Sequence, residues 1–89
     1  MTKEAFKAIV AEGVGRRRDY LAVRIETEDN LSPEVILNPI ENLAEKMAYY
    51  DKAYNDDMEL IKAKESGKLI RITDVLVTSN LSDLNWFIG

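Results

Sequence analysis

The chemistry open to this chain centres on three consecutive arginines. Arg16, Arg17 and Arg18 follow Gly13-Val14-Gly15. Guanidinium forks match the geometry of phosphate and carboxylate, and backbone N–H groups beside glycines lie open to an anion. The run reads as an anion-binding segment. It reads equally as a solvated loop whose arginines pair with some of the sixteen acidic residues, since opposite charges at contact attract most when partly desolvated. A dinucleotide fingerprint is absent, because the glycines neither follow a strand nor extend to a third glycine. Tyrosine is the second resource. Tyr20, Tyr49, Tyr50 and Tyr54 each carry a face on which a base could stack. Tyr50 and Tyr54 fall on an apolar helical stripe and are expected in the core, whereas Tyr49 lies off it and is placed to meet a ligand or a partner chain. Arg16, Arg17, Arg18 and Tyr49 are therefore the candidate ligand-binding residues.

Other chemistries find little support. The chain has no histidine and no cysteine, so it lacks the usual general base near neutral pH, the commonest metal ligand and any thiolate. Asp56, Asp57 and Glu59 offer oxygens to a hard cation, but the spacing of a calcium loop is missing; they read as turn residues, and no metal or cofactor is expected. Glu41 and Glu45 belong to a capped helix. No serine stands beside an obvious base, so nucleophilic catalysis is unsupported and the expectation is a protein that is not an enzyme.

At 89 residues the chain is read as one domain, residues 1–89, with a core small enough that oligomerisation is a common source of added stability. The aromatic end, with Trp86 and Phe87, is read as an oligomer interface, because buried aromatics dominate binding energy at interfaces. The net charge of −4 argues against general affinity for nucleic-acid backbone. It is unevenly spread: six bases and four acids in residues 1–27, six bases and twelve acids in the remainder. No apolar run has the length of a signal-peptide core or a membrane span, and the cytoplasm of a bacterial host is the expected location, with no membrane partner.

These residues must be positioned by a handful of elements. Thr2 can cap a first helix, with Phe6, Ile9, Val10 and Gly13 on one face and Gly13 as a left-handed terminator. Leu21, Val23 and Ile25 alternate with Ala22, Arg24 and Glu26, the period of a half-buried strand over Tyr20–Thr27. Val35-Ile36-Leu37 reads as a second strand paired with it. Asn38 as N-cap, Pro39 at the first helical position and Glu41 two residues on predict a long helix, with Ile40, Leu43, Met47, Tyr50 and Tyr54 as its apolar stripe. The segment from Met58 to Lys64 is compatible with a short helix stopped by Gly67, or with extended structure over Met58–Leu60. Lys68–Thr78 is β-branched and apolar enough to be the central strand of a small sheet. The sum is an α+β fold: a small antiparallel or mixed sheet with the N-terminal helix and the long capped helix on one face.

Over roughly residues 35–77, the run Leu37-Asn38-Pro39-Ile40-Glu41-Asn42-Leu43, then Tyr49–Asp57, then Leu69-Ile70-Arg71-Ile72, resembles small uncharacterised proteins encoded by phages and prophages of Gram-positive bacteria. The resemblance implies a phage accessory protein and carries over no functional residue. Two functions follow as expectations. One is a homo-oligomeric counter-defence protein that sequesters a small anionic ligand, such as a nucleotide signal, through arginine and tyrosine. The other is an acidic inhibitor or adaptor that engages a basic host protein, such as one that binds nucleic acid.

Overall fold

Strand β1 (Tyr20–Thr27) is the middle of the molecule. In the computed structural model, which describes residues 1–15, 19–28 and 33–88, the elements run α1 (Lys3–Val14), β1, β2 (Glu34–Pro39), α2 (Leu43–Ala53), α3 (Ile61–Glu65), β3 (Ile70–Thr78), a 3-10 turn (Leu81–Asp83) and α4 (Leu84–Ile88). The sheet is antiparallel with order β2-β1-β3, a small α+β fold. No helix among the described residues is long and apolar enough to cross a membrane.

Alternation along β1 creates two faces. Leu21, Val23 and Ile25 are buried with Ile72 and Val75 of β3 beneath α1 and α2, which contribute Phe6, Val10 and Tyr50, and beside Tyr54 at the end of α2; Leu43, Met47 and Ile40 pack around them. On the opposite face Ala22 is fully buried. Thr78, paired with Tyr20 on that side, donates its hydroxyl to Asp83 Oδ2 at 2.7 Å and so starts the chain back across the sheet, where α4 packs against β1. Both faces of β1 are covered and both edges are paired. The central strand is therefore β1, not the Lys68–Thr78 segment, which forms the far side of the sheet as β3 and carries a bulge opposite Arg24 and Ile25.

The capping signature at Asn38 is overridden. Asn38 and Pro39 remain extended because they pair with Leu21 and Tyr20, and the Ile40 N–H continues the ladder to the Asp19 carbonyl at 2.9 Å. Pro39 closes an edge strand, a place where its missing N–H costs no ladder bond. The helix starts at Leu43 after Asn42, which adopts the left-handed conformation with φ 61° and makes no side-chain cap. Asn38 instead donates its side-chain amide to the Leu21 carbonyl and the Tyr50 hydroxyl. At the other helix the expected cap holds: the Ala5 N–H donates to Thr2 Oγ1 at 3.1 Å.

Gly13 is a second correction. It lies inside α1 and does not end it; Gly15 is the cap residue, in right-handed conformation. What Gly13 provides is closeness, since a Cβ there would fall inside the van der Waals envelope of Val77. The two glycines should thus respond oppositely to alanine. Gly15→Ala, with φ −61° and only backbone oxygens at 3.5 Å and beyond, should be neutral or stabilise by up to about 1 kcal/mol. Gly13→Ala gains about 1 kcal/mol of helix propensity but overpacks the helix–strand contact, at roughly 1–3 kcal/mol. Urea unfolding should show a lower midpoint for Gly13→Ala and not for Gly15→Ala.

Candidate functional site

Residues 49, 52 and 53 sit on one face of α2 at helical spacing, and Asn55 determines what faces them. Its Oδ1 accepts from the N–H groups of Asp57 and Glu59 at 3.0 and 2.9 Å, its Nδ2 donates to Glu59 Oε1 at 2.9 Å, and its own N–H donates to the Glu59 carbonyl at 2.9 Å. This knot reverses the chain directly after α2. Met58, fully buried, takes φ 58° in the turn. Leu60 then pairs with Tyr54, and α3 begins. Both sequence-level readings of this stretch hold in part: extended backbone at Glu59 and Leu60, then a helix whose end is followed by Gly67 at φ 76°.

Between α2 and α3 the turn leaves a half-open cleft of about 580 Å³, lined by Tyr49, Lys52, Ala53, Leu60, Ile61, Lys62 and Glu65. Ala53, Leu60 and Ile61 make it apolar. Lys52 and Lys62 bring two basic side chains to its lining, against one acidic side chain from Glu65. Tyr49 is 55% exposed, and its ring is braced by edge contacts with Tyr50 and Tyr54, centroids 5.3 and 6.4 Å away. Those two tyrosines are buried as expected from the stripe. Burial raises both hydroxyl pKa values, that of Tyr54 to about 12, so they are neutral supports under the exposed ring. An aromatic wall, an apolar lining and two cations can hold a flat or apolar group that carries a negative charge.

The cleft is anchored to the rest of the fold from below. Lys3 donates its ammonium to the carbonyls of Asp51 and Tyr54, both at 2.6 Å, satisfying oxygens at the C-terminal end of α2 where a cation is favoured. Lys7 pairs with Asp51 at 2.7 Å. Lys64 pairs with Glu59 at 2.8 Å, which commits that carboxylate to the turn. Among the described residues no group of three or more potential ligands could hold a metal ion.

Of the residues singled out from sequence, Tyr49 stands on the cleft wall. Arg16, Arg17 and Arg18 lie outside the described residues; their flank Asp19 stands at the end of the sheet where Tyr20 pairs with Pro39 and Thr78. The aromatic pair at the C-terminus divides. Phe87, expected at an interface, is 2% exposed and fills the chain's own packing, its ring 6.1 Å from that of Trp86 in an edge contact; Trp86 is 63% exposed. Lys52 and Lys62 were not identified by periodicity or motif, because only the Asn55 turn brings α3 beside α2. The chain matches no family model, no curated protein and no solved structure.

Two consequences can be measured. Asn55→Ala strands the partly buried Glu59 N–H, at about 1–3 kcal/mol, and should raise amide exchange across Asp57–Glu65 more than across β1. Acid is the second probe. The hydrogen bond from Lys7 and the charges of Lys7 and Lys3 hold Asp51 below the usual range, while hydrogen bonds from Lys64 and Asn55 do so for Glu59. A carboxylate with a depressed folded pKa stabilises above its ordinary value and loses that contribution as pH falls through the folded one. Thermal stability should therefore drop below about pH 4.5, and the Lys7→Met, Lys64→Met double variant should show a shallower drop between about pH 3 and pH 7.

Proposed function

We propose that this chain is a non-catalytic binding protein whose α2–α3 cleft takes a small anionic ligand with a flat ring system, a nucleotide being the chemistry that fits best. The observation that carries this reading is the braced, exposed Tyr49 ring over an apolar cleft flanked by Lys52 and Lys62. Tyrosine faces stack on bases without needing a particular one, and ammonium groups meet phosphate as point charges. Arg16, Arg17 and Arg18 remain a separate proposal, an anion-binding segment read from their residue types. The phage resemblance supplies a setting, in which sequestering a host nucleotide signal would protect an infecting phage. The rival reading, an acidic protein docking on a basic partner, rests on the net charge of −4.

Calorimetric titration against a panel of linear and cyclic nucleotides tests the proposal. Wild type should bind at least one member. Tyr49→Ala loses stacking of about 1–3 kcal/mol per base, and Lys52→Ala or Lys62→Ala loses a charge-assisted bond of about 1.5–3 kcal/mol, so each should weaken binding about tenfold or more. If only arginine-to-alanine variants at 16–18 weaken it, the site lies at that segment and not in the cleft. No binding by wild type would sink sequestration and favour the acidic-inhibitor reading.

A further inference from the structure

The outer edge of β2 carries a self-complementary pattern. Antiparallel pairing makes alternate residues point their N–H and C=O groups towards opposite neighbours. The Ile40 N–H reaches the Asp19 carbonyl, and in the same register Asn38 faces Leu21 and Ile36 faces Val23. The even-numbered residues of β2 therefore bond inward to β1, and the odd-numbered ones, Val35, Leu37 and Pro39, turn their backbone groups outward. Pro39 has no N–H to offer, and Pro33, two residues before Val35, has none either. These are the chain's only prolines. Between them the edge presents two outward donors, at Val35 and Leu37, in a stretch where Ile36 and Leu37 are 43% and 39% exposed. The opposite edge of the sheet is different, because β3 bonds to the Met58–Leu60 turn: Leu60 N–H to the Ile70 carbonyl and Ile72 N–H to the Met58 carbonyl.

We infer that β2 pairs with β2 of a second copy, antiparallel about a two-fold axis through Ile36, joining two three-stranded sheets into one. In this register the N–H of Val35 meets the carbonyl of the partner's Leu37, the N–H of Leu37 meets the carbonyl of the partner's Val35, and symmetry repeats both. Pro39 falls opposite the partner's Pro33, so no donor is stranded at either end. Slipping by two residues in either direction would set Ile36 opposite the partner's Glu34 or the partner's Asn38, both polar, in place of the partner's Ile36. Charge follows the same symmetry. Lys46 donates its ammonium to the outward Pro39 carbonyl at 2.6 Å, which holds a cation at the edge on the helix-bearing face. Glu34 lies on that same face, and pairing brings the partner's Glu34 opposite Asn38, next to that ammonium, on both sides of the axis. An edge strand with exposed apolar residues is a template for such addition.

The absence of native cysteine makes the test direct. Across the axis Ile36 faces the partner's Ile36 as a non-hydrogen-bonded pair, with Cα atoms about 4.5 Å apart, within the range of about 4.4–6.8 Å that a disulfide spans. Ile36→Cys should convert on mild oxidation to a covalent dimer, whereas Tyr49→Cys and Leu81→Cys, at positions exposed by 55% and 48%, should not at equal concentration. Glu34→Lys and Lys46→Glu should each shift sedimentation towards monomer, and combining them should restore the dimer. A wild type that sediments only as monomer at tens of micromolar would overturn the inference, as would Ile36→Cys linking no faster than Tyr49→Cys.

Discussion

Everything in this fold depends on β1 being paired along both edges and covered on both faces. Leu21, Val23 and Ile25 on one side and Ala22 on the other are all buried, which requires a layer above and a layer below a three-stranded sheet. The rest of the chain supplies those layers with little to spare. Helices α1 and α2 form one, and the second is a single five-residue helix, α4, that buries Phe87 and leaves Trp86 in solvent. A small domain buries a smaller fraction of its surface than a large one, and here the economy is visible in neighbouring aromatics with opposite fates.

The double pairing also decides where α2 begins. Holding Asn38 and Pro39 extended beside Leu21 and Tyr20 postpones the helix to Leu43, and it turns the Asn38 side chain under the helix to the Tyr50 hydroxyl. That bond meets a phenol whose burial disfavours ionisation, so the polar atom entering the core is matched instead of stranded. The tyrosine cluster can then divide its labour: Tyr50 and Tyr54 pack inward, Phe6 joins them at a centroid distance of 5.4 Å from Tyr50, and Tyr49 is held in place without being covered.

Features that depend on near neighbours in the chain were legible in the sequence. The alternation of β1, the Thr2 cap, the buried stripe of α2 and the outward phase of Tyr49 all follow from periodicity and local hydrogen bonding. Features that depend on distant contacts were not. Asn38-Pro39 with a following glutamate has the local marks of a helix start, but the competing ladder to β1 outweighs them. Gly13 has the local marks of a terminator, whereas its meaning is the proximity of Val77, a residue far along the chain. Lys62 becomes a neighbour of Tyr49 only because Asn55 folds the turn, and nothing in the spacing of lysines foretells that. Phe87 and Trp86 look alike as letters; the surface under α4 separates them.

Helix α1 is fastened unequally at its two ends, and this makes it a lever. At the start, the Lys3 N–H bonds to the Asp56 carbonyl at 2.8 Å and its ammonium grips two carbonyls at the end of α2. Towards the far end, Val10 and Val14 join the core and the flat side of Gly13 lies against Val77. Added bulk at Gly13 or Val77 acts as a wedge there, far from the fastening at Lys3. Over evolutionary time the two positions should drift as a pair: any residue larger than glycine at 13 is tolerable only when position 77 shrinks.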